Sequence, residues 1–129
     1  MKENQETVCR WAESTFGNVG VRRAFLRYAE EFVELAEVLG FFDTARVLRE
    51  ALVEDVSSIP FMPEMTDERI RKAGAECADG LITLYRVADK LRCDLHDTVD
   101  VKMVVNRARK WAVTVDGVGQ HVSEPSDGG

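Results

Sequence analysis

Four carboxylates, Glu30, Glu31, Glu34 and Glu37, fall within eight residues of the stretch RYAEEFVELAE, and a further pair, Glu76 and Asp79, lies in ECAD. Glu31 and Glu34, like Glu76 and Asp79, are spaced i, i+3, which on a helix puts both acids of a pair on one side, a turn apart. Acidic residues at helical spacing are ordinarily a solvated face. Two such pairs brought together would repel and ionise poorly unless a positive charge sat between them. An all-oxygen donor set of this kind suits a hard divalent cation, Mg²⁺ or Mn²⁺. Carboxylate di-iron sites instead call for Glu-x-x-His on two helices, and His96 and His121 follow no such spacing.

A second kind of chemistry is written in KMVVNRAR, where Lys102, Asn106 and Arg109 are spaced i, i+4, i+7. On a continuous helix they share a face able to grip phosphate oxygens, arginine by a planar fork and lysine as a point charge. The bland alternative is a basic surface near a helix C-terminus, where the dipole favours cations. The chain has no GxxxxGK phosphate loop, no HExxH and no GxSxG elbow.

Helices must carry these groups, and the apolar periodicity predicts about five. They span roughly residues 5–15, 21–39, 44–56, 66–92 and 94–111. On the second, Phe25, Tyr28, Ala29, Phe32, Leu35, Ala36 and Leu39 recur at three-and-four spacing, with Gly40 as its stop. The fourth carries Ile70, Cys77, Leu81, Leu84, Ala88 and Leu91 as its expected buried stripe, with Thr66 as cap and Gly74 and Gly80 as local weak points. Asp94 opens the fifth. Pro60 and Pro63 interrupt helix in SSIPFMPEM, and WAVTV gives only a weak strand pattern. The expected organisation is a single all-α domain over residues 1–112 with a glycine-containing tail over 113–129.

The 129 residues are 45% apolar and 31% charged, with a formal net charge of −6. That balance argues against a DNA or RNA polymer as partner, since phosphate neutralisation needs a basic face. It leaves nucleotides open, because a bound cation reverses the local sign. No apolar run approaches a membrane span, and the N-terminal residues lack the apolar core of a secretory signal. Cys9, Cys77 and Cys93 form no close pair; reduced thiols and a cytoplasmic location are expected.

Taken in order, these residues resemble the MazG-like all-α nucleoside triphosphate pyrophosphohydrolases. The pattern EExxE followed by ExxD reads here as Glu30-Glu31-Phe-Val-Glu34 and Glu76-Cys-Ala-Asp79, and KMxxNxxR follows with Lys102, Asn106 and Arg109. The resemblance covers about residues 11–111. It implies a helical bundle completed by assembly into a homodimer or homotetramer, and a Mg²⁺-dependent conversion of a nucleoside triphosphate to the monophosphate and pyrophosphate. It further implies Glu31, Glu34, Glu76 and Asp79 as metal ligands and Lys102, Asn106 and Arg109 as phosphate contacts. The general base stays open among Glu30, Glu34 and Glu37. WAESTFG is similar to a segment of phage-type, purine-deoxynucleotide-directed members, which makes dGTP or dATP the expected substrate and Trp11 or Phe16 a base-stacking residue. The chain departs from the pattern in spacing: Glu34 and Glu76 stand 42 residues apart, longer than is common. The competing function is a non-catalytic helical dimer that binds a protein partner or senses nucleotide.

Overall fold

The computed structural model describes residues 2–58, 63–113 and 119–122, and side chains over 2–53 and 63–109. The fold is all-α, with five helices among the described residues: α1 (Gln5–Phe16), α2 (Val21–Val38), α3 (Phe42–Ser58), α4 (Asp67–Lys90) and α5 (Leu95–Ala108). The weak strand pattern of WAVTV is realised in part as β1 (Lys110–Val113), which pairs with β2 (Gly119–Val122) in a two-stranded ribbon. Pro60 and the last seven residues of the tail lie outside the described residues.

Side chains close the starts of α1, α4 and α5. Asn4 Oδ1 accepts from the Thr7 amide at 2.9 Å while Thr7 Oγ1 accepts from the Asn4 amide at 2.9 Å, so two end donors of α1 are satisfied reciprocally. Thr66 caps α4 through Oγ1, which accepts from the Arg69 amide at 3.2 Å. Asp94 caps α5, its Oδ1 accepting from the Asp97 amide at 3.0 Å.

Two helix ends share one device. After α2, the Gly40 amide donates to Glu37 O at 3.0 Å and the Phe41 amide to Ala36 O at 2.9 Å; after α4, the Arg92 amide donates to Asp89 O and the Cys93 amide to Ala88 O, both at 3.0 Å. Both are Schellman caps, which place one residue in the left-handed region. Gly40 adopts φ 90° there at no steric cost, whereas Arg92 at φ 57° does so with a Cβ.

Backbone contacts divide the chain into two compact units, one of residues 1–12, 63–110 and 122–129, the other of 13–62 and 111–121. In the second unit α2 packs on α3, and Val33, Ala36 and Ala45 form its core, with Leu48 and Leu52 against them. The alanines at 36 and 45 keep the contact small and close. Val33, at 1% exposure, is the most deeply buried side chain described.

The buried line on α2 is therefore Leu26, Val33 and Ala36, not the expected stripe through the aromatics. Phe25, Tyr28 and Phe32 are exposed because α3 packs against the neighbouring side of the helix. On α4, Ala88 is buried while Ile70, Leu81 and Leu91 are exposed, and so is Cys77. Cys77 is not core filler in this chain. An added Cβ at Gly74 would meet no heavy atom within 4 Å, so no described neighbour uses the gap this glycine leaves.

In the first unit the N-terminal segment is tied to α5. The Glu3 amide donates to Asp100 Oδ1 at 2.6 Å, and Arg107 Nη2 donates to Glu3 Oε1 and Oε2 at 2.8 and 2.9 Å. Tyr85 of α4 stacks on His96 of α5, ring centroids 5.5 Å apart, and its hydroxyl lies 2.8 Å from His96 Nε2.

Candidate acidic site

The acids of α2 share one broad side of the helix and differ in what each touches. Arg27, one turn earlier, reaches Glu31 Oε1 at 2.6 Å through Nη2 and Glu30 Oε2 at 3.3 Å through Nη1. Glu34 follows Glu31 by a turn. Partial burial, then the charge of Glu31 and a hydrogen bond with it, raise the Glu34 carboxyl above its ordinary value; Arg27 opposes this and Glu30 adds to it. Glu37 turns toward α3, where Arg49 Nη2 pairs with its Oε1.

Glu30 and Glu34 also line a cavity of about 290 Å³ between α2 and α3, whose other walls are Leu26, Val33, Arg49, Leu52 and Val53. A larger hollow, about 590 Å³, continues along the same helix pair past Glu37, Phe42 and Arg46, and it shares Arg49 and Val53 with the first. Arg46 is held within its own helix by Asp43 at 3.8 Å and Glu50 at 3.6 Å. A mostly apolar hollow with a few convergent charged groups has the character of a small-molecule site. This hollow has no signal in the acidic motifs themselves. The Arg49–Glu37 pair, 12 residues apart in the chain, depends on the turn geometry between two helices.

Glu76 and Asp79 are exposed on α4, and their carboxylates make no hydrogen bond or ion pair among the described residues. The Thr83 hydroxyl donates to the backbone oxygens of Asp79 and Gly80 at 3.1 and 2.9 Å, not to the carboxylate. The two acidic pairs belong to different compact units.

Of the residues expected to form a phosphate-gripping face, Lys102 and Asn106 lie within α5 and Arg109 at its very end. α5 ends at Ala108, and Arg109 is its C-cap residue with extended backbone, φ −73° and ψ 150°. The Arg109 amide still donates to Val105 O at 3.1 Å and its φ is helical, so it is the backbone after Arg109 that leaves the helix. Helix gives way here because the β-prone run from Lys110 to Val113 enters the ribbon, which also removes Trp111 from the expected helix. Asn106 Nδ2 approaches Met103 Sδ at 3.9 Å.

Trp11 and Phe16 are both half-buried on α1. Five residues apart, they project roughly 140° from each other around the helix axis, so one base cannot lie between them.

The donor chemistry fits Mg²⁺ or Mn²⁺ pair by pair: all oxygens, two acids a turn apart, and in Glu34 a carboxyl crowded by its neighbour. Among the described residues, no three His, Cys, Asp or Glu side chains converge into a group that would hold a metal ion. No described helix is long and apolar enough to cross a membrane. No family model, curated protein or solved structure matches the chain.

Proposed function

We propose that the protein is a divalent-metal-dependent nucleoside triphosphate pyrophosphohydrolase, converting a (d)NTP to the (d)NMP and pyrophosphate. The observation that carries this reading is Glu34, crowded by Glu31 on one side and facing the α2–α3 cavity on the other. A carboxylate so placed is short of positive charge and adjoins a space of ligand size. The order of EExxE, ExxD and KMxxNxxR along the chain supports the same conclusion.

In this reading the acidic pairs, Glu31 with Glu34 and Glu76 with Asp79, are each candidates to hold Mg²⁺, with Mn²⁺ as an alternative. Bound there, the ion would polarise the α–β phosphoanhydride and lower the pKa of a bound water. Glu30 and Glu34 face the cavity as acceptors for the proton of an attacking water. Arg27 spans Glu30 and Glu31 and fixes the orientation of both. Lys102 and Asn106 contact phosphate oxygens from α5, with Arg109 at its C-cap. The walls Leu26, Val33, Leu52 and Val53 exclude water from one side of the reacting groups. A purine deoxynucleotide, dGTP or dATP, is the substrate to try first, in the cytoplasm of a bacterial cell or a phage-infected host.

A panel of dNTPs and NTPs with Mg²⁺ or Mn²⁺, read for pyrophosphate rather than orthophosphate, tests the activity. Orthophosphate as the first product, or no turnover of any nucleotide, would refute it. Metal binding has its own readout: Mg²⁺ with a non-hydrolysable triphosphate raises the melting temperature of a specific site by mass action.

The second reading, a non-catalytic helical dimer for protein interaction or nucleotide sensing, is favoured by the apolar surface. Phe25, Tyr28 and Phe32 are 59, 55 and 50% exposed along one side of α2. A patch of that kind marks an interaction surface, and a homodimer or homotetramer would cover it in either reading. Light scattering gives the assembly state, and a dimer with neither turnover nor a thermal response to nucleotide favours the second.

A further inference from the structure

Arg49 is the one residue common to both hollows along α2 and α3 whose side chain is charged. Arg27 is held by Glu30 and Glu31 on its own helix, and Arg46 by Asp43 and Glu50 on its own. Arg49 instead reaches across to α2 and pairs with Glu37, with the two side chains 52 and 45% exposed. An ion pair that open to water is weak and exchanges readily for a better partner. Arg49 also lines the cavity that Glu30 and Glu34 line, so a turn of its side chain brings the guanidinium to an anion there without any movement of the helices.

We infer that Arg49 is a phosphate-contacting residue. It rests on Glu37 when the site is empty and transfers its planar fork to the phosphate chain when a triphosphate enters beside Glu30 and Glu34. This rests on the pyrophosphohydrolase reading above and adds a residue to it that the acidic and KMxxNxxR motifs do not contain. The exchange needs no covalent step. A carboxylate partner is replaced by phosphate oxygens, which match the guanidinium fork in two-point geometry. Glu37 then has the role of a resting place for Arg49 and competes with substrate for it.

The roles of Arg49 and Glu37 separate in steady-state kinetics. With the most active dNTP of the panel, Arg49→Ala lowers kcat/KM by about 10²-fold, the scale of one lost preorganised charge donor. It also weakens product inhibition by inorganic pyrophosphate, and Arg49→Lys restores part of each. Glu37→Gln shifts KM the opposite way, downward, because the competitor is gone. A purely structural Arg49–Glu37 tie predicts the same loss from Arg49→Ala and Glu37→Gln, since either breaks it. That outcome, or an Arg49→Ala enzyme within about 3-fold of wild type, overturns the inference while leaving the enzymatic reading standing. A wild-type chain inactive on every nucleotide overturns both. The Mg²⁺-induced rise in melting temperature, retained in Arg49→Ala, shows that the variant is folded and its acids still bind metal.

Discussion

Arg107 of α5 holds Glu3 by both carboxylate oxygens, and Glu3 is only 6% exposed in that grip. A hydrogen bond from Thr7, then one from Arg107, then the Arg107 charge pull the Glu3 carboxyl below its ordinary value of 4.5. A depressed acid stabilises the fold above its unfolded pKa and withdraws that stabilisation as pH falls through the folded value. Melting temperature therefore falls on acidification, in the range below about pH 4.5, and it falls less steeply in Glu3→Gln, which starts lower at neutral pH. Equal slopes in the two chains would show that Glu3 is not part of the acid response.

Glu34 titrates with the opposite sign. Its raised carboxyl favours folding when protonated, and that advantage is lost as pH rises through the folded value. Without divalent cation at neutral pH, Glu34→Gln is at least as stable as wild type, by no more than about 0.5 kcal/mol because the site is half open to solvent. With Mg²⁺ and nucleotide the order reverses, because only wild type gains from the ligand. Glu34→Gln and Asp79→Asn each abolish pyrophosphate release; activity persisting in both would remove these residues from the site.

The two Schellman caps give a matched pair of substitutions. Gly40→Ala costs about 1 kcal/mol from backbone strain alone, since an added Cβ there meets nothing within 4 Å. Arg92→Gly relieves the same strain and stabilises by about the same amount. Urea midpoints moving in opposite directions, with unchanged slopes, verify both.

Val33→Ala removes two methyl groups from the best-filled point between α2 and α3 and costs about 2 kcal/mol. A loss below about 0.5 kcal/mol would show that the site collapses around the smaller side chain.

Gly74→Ala reports on assembly. In an isolated α4 it stabilises by about 1 kcal/mol, helix propensity being the whole effect. If a second copy packs its backbone against Gly74, the substitution weakens the dimer instead. Melting temperature against protein concentration separates the two.

What the sequence made legible follows from local physics. Asp94, Thr66 and Gly40 act where their side chains or their lack of one dictate, and the periodicity placed five helices within a few residues. The face buried on each helix was harder to read. Phe25, Tyr28 and Phe32 satisfy an i, i+3, i+7 pattern as well as any core does, yet the side that meets α3 runs through Leu26, Val33 and Ala36. Periodicity states that a helix has an apolar side; the neighbour decides which arc is used. Arg109 illustrates the limit at an element boundary, where a helix-spaced motif runs into a strand-prone tail. In the candidate site, the i, i+3 spacing announced Glu31 beside Glu34, but Arg49 came into view only once α2 and α3 were laid side by side.

The three residues Leu39, Gly40 and Phe41 that join α2 to α3 also set a timetable. So short a loop closes at little entropic cost, and a helical hairpin of this kind forms in microseconds. The Glu3 clasp must wait for Asp100 and Arg107, 97 and 104 residues further along. During synthesis, at about 5–20 residues per second, the hairpin and its acids are in place seconds before the chain can fasten its N-terminal segment.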